Sequence, residues 1–235
     1  MSLDTLLRND NFFHVYQPIW DISSWDVMGY ESFFRSDWNS NPEEVFQSAM
    51  KTNHIYELDT KSIIKAASTF HRVYETNKTM LFLNIFPSTM LNPEFFSFIE
   101  QLIHQTTISC QHIVFEINES EKIENTQLFL EAMLRLKNYG FLLAMDDVGK
   151  GETSIQKLFE LKPDFIKIDK YFSNDLSFSD KKQKFIRFLV DVCKDHGKVI
   201  LEGIEKPEDL AAAKSLGVPI AQGFLLGKPD KMEFS

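Results

Sequence analysis

Short apolar runs alternate with longer amphipathic stretches along most of the chain. Five runs stop at a polar residue, and they cover residues 80–84, 112–116, 141–146, 165–167 and 199–202. Runs of this length are typical of strands buried on both faces of a parallel sheet. Successive run ends lie 32 residues apart from Asn84 to Glu116 and 30 apart from Glu116 to Asp146. Each interval has room for one strand and one crossover helix, so the pattern predicts repeated βα units.

The stretches between these runs have helical periodicity. The predicted helices cover residues 94–105, 125–138, 181–196 and 207–215, and two more follow the N-terminal part at 42–52 and 56–74. Three of the helices end close to Gly140, Gly197 and Gly217, as helices commonly do.

The N-terminal part has a different pattern. Residues 13–22 and 26–35 are strand-like and are separated only by a short Ser-Ser-Trp turn, which predicts an antiparallel hairpin. The whole order predicts an α/β fold, a TIM-like (β/α)8 barrel that opens with this antiparallel first strand. A doubly wound open sheet is the structural alternative. Because no linker-like segment divides the 235 residues, we expect a single domain over residues 1–235.

Composition narrows the range of functions that the chain could have. Lys and Arg number 25 against 34 Asp and Glu, a net charge of −9, which argues against a broad DNA- or RNA-binding surface. A small phosphate ligand held locally is still possible. Two cysteines cannot form a disulfide framework or a four-thiolate zinc site. Neither a signal peptide nor a membrane-spanning segment is evident, so we expect a cytoplasmic protein.

Polar residues close or directly follow the predicted strands. They are Asn84, Glu116, Asp146, Asp147, Lys167, Asp169, Glu202 and Gln222. Any one of them could simply end a strand. In a parallel barrel, however, the carboxyl ends of all strands open onto one face, where barrel enzymes place their chemistry. We therefore expect these side chains to converge.

Convergence brings several carboxylates together. Two of them about 4 Å apart repel by roughly 4 kcal/mol at an effective dielectric constant of 20. Lys167 alone cannot compensate Glu116, Asp146 and Asp147, so protons are retained or cations bind. Carboxylate and amide oxygens are ligands that suit Mg²⁺ or Mn²⁺. A zinc site is not favoured, because the six histidines are scattered and no His-Glu-x-x-His motif occurs.

Ordered motifs at matching spacing give the sequence a specific family resemblance. They are Tyr16-Gln17-Pro18-Ile19, Gly29-Tyr30-Glu31-Ser32-Phe33-Phe34-Arg35, Leu83-Asn84, Glu116-Ile117-Asn118-Glu119-Ser120, Asp146-Asp147-Val148-Gly149, Lys167-Ile168-Asp169, Glu202-Gly203-Ile204-Glu205 and Gln222-Gly223-Phe224. With them the chain resembles the EAL-domain phosphodiesterases, which cleave cyclic di-GMP. The resemblance extends over a core of about residues 13–229, and the family fold is a barrel with an antiparallel first strand.

The resemblance implies roles for individual residues. The implied metal ligands are Glu31, Asn84, Glu116 and Asp146, with Asp147 on a second ion. The implied catalytic residues are Glu202 as general base or its close support, Lys167 on the attacking water or phosphate, Asp147, and Glu119 as a brace of the loop after Asp146 and Asp147. The implied nucleotide-binding residues are Gln17, Arg35, Gln222, Asp169 and Glu205. The family also implies two Mg²⁺ or Mn²⁺ ions, cyclic di-GMP as substrate, linear pGpG as product, and a homodimer.

The sequence departs from the family pattern in three places. Glu31-Ser32-Phe33 replaces the Glu-Ala-Leu that names the family, which keeps the carboxylate and changes packing. Asn118 replaces a usual Thr, and residues 148–153 differ in the loop that couples dimer contacts to activity. An active phosphodiesterase is the first hypothesis. A catalytically quiet receptor or protein-interaction module on the same fold is the second, and an unrelated metal-dependent barrel hydrolase is the third.

Overall fold

Eight strands close into a barrel in the order of the chain. The structure is a computed structural model that describes residues 3–73, 79–106, 108–117, 121, 125–149, 160–194 and 197–232. The strands are β1 Phe12–Asp21, β2 Asp26–Ser36, β3 Met80–Ile85, β4 Ile113–Ile117, β5 Leu142–Val148, β6 Phe165–Ile168, β7 Lys198–Leu201 and β8 Ile220–Ala221. Closure confirms the predicted barrel, and the open-sheet alternative is wrong.

The first strand runs opposite to its two neighbours. Strand β1 pairs antiparallel with β2, from Phe12 opposite Ser36 to Asp21 opposite Asp26, and antiparallel with β8. Trp25 closes the hairpin with a positive φ of 63°. The remaining neighbours, from β2 through β8, pair in parallel. The predicted antiparallel first strand is therefore confirmed.

Helices cover the outside of the barrel. They are α1 Leu3–Asn9, α2 Pro42–Lys51, α3 Ile55–Val73, α4 Pro87–Met90, α5 Phe95–Gln105, α6 Thr126–Asn138, α7 Lys170–Ser173, α8 Asp180–Cys193 and α9 Pro207–Ser215, with 3₁₀ turns at Cys110–His112 and Leu176–Phe178. Side chains cap several of them: Asn41 accepts from a backbone N–H of α2, Asn125 from one of α6 and Ser179 from one of α8. Among the described residues, no helix has the length and apolar character needed to cross a membrane.

Helix α1 was not predicted. It buries Leu3, Leu6 and Leu7 in a cluster with Phe12 and Phe34 of the hairpin. Seven residues give too short a periodic pattern to indicate a helix, and such a helix is stable mainly through its tertiary packing.

Candidate active site

The strands place an apolar layer and a polar layer inside the barrel. One buried cluster fills the interior and includes Ile19, Phe82, Val114, Ala144, Phe165, Ile200 and Ile220. Two residues further along the chain from the cluster residues of β3 to β8, on the same face, lie Asn84, Glu116, Asp146, Lys167, Glu202 and Gln222. On β1, which runs the other way, Gln17 precedes Ile19 by two residues and joins the same layer. Strand periodicity thus brings most of the predicted site residues to one end of the barrel.

Lys167 lies at the centre of the polar layer. Its ammonium Nζ is 2.7 Å from Glu202 Oε1, 2.9 Å from Glu116 Oε1, and 3.1 Å from both Glu31 Oε2 and Asp146 Oδ1. Burial by itself would lower the pKa of this ammonium, but the four carboxylates outweigh burial and raise it well above its usual value. Lys167 is therefore a fixed positive charge.

One ammonium does not satisfy four carboxylates. Within the described part of the chain, both oxygens of Glu116 and Oδ1 of Asp146 are buried and make no hydrogen bond, although Nζ forms ion pairs with Glu116 Oε1 and Asp146 Oδ1. Burial, reinforced by the charge of Glu31, raises the pKa of Glu116 well above normal. Burial likewise raises the pKa of Glu202 to about 8, although Lys167 opposes the shift. The site has unused acceptors and excess negative charge.

Two amide side chains hold Glu31 in place. Gln222 Nε2 donates to Glu31 Oε2 at 2.9 Å and to Gln17 Oε1 at 3.3 Å. Gln17 Nε2 in turn donates to the carbonyl of Gly227 at 2.8 Å. Gln17 and Gln222 are both buried, so in the structure their amides position a carboxylate.

Strand β5 is longer than predicted. It continues to Val148 instead of ending at Asp146, and its pairing with β6 shifts between Met145 and Val148. Asp147 sits in this irregularity with a positive φ of 53°. The bulge brings Asp146 and Asp147 to the barrel mouth with Glu202, where one oxygen from each carboxylate lies within 4.8 Å of the other two.

A cavity of about 530 Å³ opens beside this cluster. Asn84, Asp146 and Asp147 line it together with Arg35, whose guanidinium donates to the carbonyl of Phe34 at 2.7 Å and lies over the Phe33 ring. This volume falls within the range of small-molecule sites. The larger Phe33 leaves the β1–β2 register regular, since the pairing shifts only between Ile19 and Trp20.

Two predicted residues, Asp169 and Glu205, lie away from this layer. Asp169 accepts from the backbone N–H of Tyr171 at 2.9 Å and caps α7, and with Glu205 it lines a separate cavity of about 430 Å³. Glu119 lies outside the described residues, as does most of the loop after Gly149.

The sequence interpretation missed Asp59. It lies on α3, is buried, and accepts from the backbone N–H of Phe86, two residues beyond Asn84. Burial raises its pKa to about 7. The available signal was an acidic residue beside Leu58 and Ile63 on the apolar side of a predicted helix.

Comparison with known proteins places the chain in a family. The EAL domain family model matches residues 1–229, so the chain belongs to the EAL domain family. The blue light- and temperature-regulated antirepressor BluF of Escherichia coli strain K12 is 29% identical over 222 residues, which cover 94% of this chain and 54% of BluF. The probable cyclic di-GMP phosphodiesterase PdeA of the same strain is 30% identical over 151 residues, covering 64% of this chain and 21% of PdeA.

A solved structure agrees with the fold. Klebsiella pneumoniae BlrP1, determined with cyclic di-GMP and calcium or manganese, matches with a TM-score of 0.86 and 25% identity over 94% of this chain and 56% of that chain. The chain thus spans about half, or less, of the length of the proteins it matches here.

Proposed function

We propose that this chain is a metal-dependent phosphodiesterase that hydrolyses cyclic di-GMP to linear pGpG. The observation that carries the proposal is the set of buried carboxylate oxygens on Glu116 and Asp146 that make no hydrogen bond and share one ammonium, beside the 530 Å³ cavity. Buried carboxylates in this state need cations or protons. Relatives named as cyclic di-GMP phosphodiesterases, and the cyclic di-GMP complexes of BlrP1 with divalent ions, support the substrate and the cation class.

The donor set fits hard divalent cations. Glu31, Asn84, Glu116 and Asp146 would hold one ion, and Asp147 would reach a second, with oxygen ligands throughout as Mg²⁺ and Mn²⁺ prefer. Such ions, when bound, neutralise the carboxylates and polarise a phosphoryl oxygen.

Glu202 and Lys167 would carry the proton transfer and the orientation of the reacting groups. With cations bound, the added positive charge would favour the ionised form of Glu202. Glu202 would then accept a proton from the attacking water as the water oxygen bonds to phosphorus, and a positioned base contributes about 10²–10⁴-fold. The bond between phosphorus and the sugar O3′ breaks, O3′ takes up a proton, and the product keeps a 5′ phosphate. Lys167 donates hydrogen bonds to the water or to a phosphate oxygen, since its charge is fixed by the surrounding carboxylates.

Arg35 would pair with a phosphate oxygen at the cavity wall, where its guanidinium supplies charged donors. Gln17 and Gln222 would orient Glu31 through the observed hydrogen-bond chain and contact the nucleotide. Asp169 and Glu205 would contact the nucleotide from the separate 430 Å³ cavity that they line, and Glu119 would brace the loop after Asp147. A single barrel domain, a homodimer and a cytoplasmic location complete the proposal.

A receptor without turnover is the second candidate. BluF, similar along 94% of this chain, is named as an antirepressor. As a receptor, the chain would bind cyclic di-GMP in the same cavity, and the resulting conformational change would alter its binding to a protein partner.

The test compares the wild-type chain with E202Q. Each purified protein is incubated with cyclic di-GMP and Mg²⁺ or Mn²⁺, pGpG is followed by chromatography, and binding is measured by calorimetry. The phosphodiesterase proposal predicts product from the wild type, and binding with product formation reduced at least about 10²-fold in E202Q. Binding without product in both proteins supports the receptor. Full activity of E202Q contradicts the role of Glu202.

A further inference from the structure

The cavity beside the acidic cluster has a second wall that the proposed chemistry does not use. This wall is formed by helix α2, which contributes Glu43, Phe46, Gln47 and Met50 to the same cavity that Asp146 and Asp147 line. In a nucleotide, one sugar separates the base from the phosphate. When the phosphate of a nucleotide lies at the acidic end of the cavity, the α2 wall would therefore face its base.

Two polar side chains of this wall have no other use in the fold. Glu43 and Gln47 are one helical turn apart, so both point to the cavity side of α2. Among the described residues, neither side chain has a hydrogen-bond partner, and both are exposed. Glu44, the next residue, differs: its carboxylate accepts from Asn39 at 2.7 Å and from Asn41 at 3.3 Å.

Apolar surface lies next to these polar groups. The Phe46 ring is partly buried, packs edge-to-face on Phe34 with ring centroids 5.2 Å apart, and lines the cavity together with Met50. Aromatic and thioether side chains favour contact with flat, polarisable rings. The wall thus combines an apolar surface with a free carboxylate and a free amide, the composition with which proteins hold an unstacked base.

The carboxylate distinguishes between the purines. An ionised carboxylate only accepts hydrogen bonds. Guanine presents two adjacent donors on its Watson–Crick edge, N1–H and the N2 amine, whereas adenine presents one amine donor beside an acceptor nitrogen. We infer that Glu43 is the specificity-determining residue that reads a guanine base of the substrate, with Gln47 and Phe46 completing the base site. This inference rests on the proposed function and adds to it the basis for base selection.

The experiment compares E43Q with E44Q, a matched change at an adjacent carboxylate that does not line the cavity. KM and kcat are measured for cyclic di-GMP and for cyclic di-AMP with Mn²⁺. E43Q is expected to raise KM for cyclic di-GMP about tenfold, the order of one lost two-point base contact. The preference for cyclic di-GMP over cyclic di-AMP, taken as the ratio of kcat/KM values, falls by a similar factor. E44Q keeps the wild-type KM and preference.

Two results would overturn the inference. In one, E43Q keeps the wild-type KM and the wild-type preference for cyclic di-GMP; in the other, E43Q loses the same factor of kcat/KM on cyclic di-GMP and on cyclic di-AMP. Its failure is separable from that of the proposed function. The diester bis(p-nitrophenyl) phosphate carries no base. If the wild type cleaves this diester but does not bind cyclic di-GMP, the base site is overturned and diester hydrolysis is retained. If the wild type binds cyclic di-GMP without cleaving it, the proposed hydrolysis is wrong. The inference is then tested by binding: the dissociation constant of E43Q for cyclic di-GMP should rise about tenfold, and that of E44Q should stay at the wild-type value.

Discussion

The Lys167 ammonium lies 2.9 Å from Oε1 of Glu116, and both side chains are buried in the barrel. Burial pushes the pKa of Glu116 upward, towards the protonated carboxyl, while the adjacent ammonium opposes that shift. The pair shows how the site balances its charge: one fixed cation from the chain offsets part of a larger negative charge.

Replacing Lys167 removes the compensating charge. K167M is expected to lose about 3–5 kcal/mol of unfolding free energy in EDTA, because removal of one partner leaves uncompensated buried charges. Added Mn²⁺ should stabilise K167M more than it stabilises the wild type. The measurement is urea unfolding with EDTA and with Mn²⁺. The control is K137M, whose ammonium pairs with the half-exposed Asp164 at 3.2 Å and should cost at most about 1 kcal/mol. Equal losses in the two variants would contradict the account.

Glu31 tests the metal site directly. E31Q is expected to weaken Mn²⁺ binding about tenfold or more, because the proposed ligand loses its charge while the hydrogen bond from Gln222 can persist. Calorimetric titration of the metal-free protein gives this affinity without any activity assay. E131Q on the exposed face of α6 should bind Mn²⁺ as the wild type does, and unchanged binding in E31Q would remove Glu31 from the ligand set.

Asp59 predicts a pH dependence of stability. Burial raises its pKa from near 3.8 to about 7, so between these values the unfolded chain releases a proton that the folded protein keeps. Stability therefore falls as pH rises through this window. From pH 5 to pH 8 the wild type should lose about 2 kcal/mol of unfolding free energy that D59N does not lose. Urea unfolding at both pH values measures the difference, in which the other titrating groups cancel. Parallel pH profiles would show that Asp59 ionises freely in the fold.

A substitution at Gly149 tests whether the contact of this segment with Phe172 positions the Asp146–Asp147 bulge. Gly149 has a φ of 98°, and a Cβ there would overlap the Phe172 ring. G149A should lower the unfolding free energy by about 1–3 kcal/mol and weaken Mn²⁺ binding, since the displaced segment carries both aspartates.

Gly140 is the matched control for Gly149. It has a similar φ of 94°, but the nearest atom to a new Cβ, Cys110 Cβ, is 3.6 Å away. G140A should therefore show only the cost of the backbone conformation and keep the wild-type Mn²⁺ affinity. Identical behaviour of the two variants would show that contact with Phe172 does not position the bulge.

Much of the site follows from strand periodicity. An apolar residue such as Val114 and a polar residue two positions later, Glu116, share one face of a strand, so apolar runs that end in polar residues predict both the barrel and its polar mouth. The reversed order of Gln17 and Ile19 on β1 agrees with the predicted antiparallel first strand.

Other features depend on contacts between distant segments. The bulge at Asp147 is a property of the β5–β6 pairing, and the short helix α1 forms against the hairpin and α2. The different surroundings of Glu43, which lines the cavity, and Glu44, which accepts from Asn39 and Asn41, cannot be predicted from two adjacent acidic residues. They depend on which carboxylate lies within hydrogen-bonding distance of the two asparagines. Asp59 was detectable as an acidic residue on an apolar helix face, but its partner at Phe86 was not.

Metal-dependent hydrolysis is tested most directly by the rate of pGpG formation as Mn²⁺ is added to metal-free wild-type protein with cyclic di-GMP. We expect no product in EDTA and a rate that rises with Mn²⁺ to a plateau. Product formation in EDTA at the plateau rate would contradict the metal site, and no product at any Mn²⁺ concentration would contradict the phosphodiesterase.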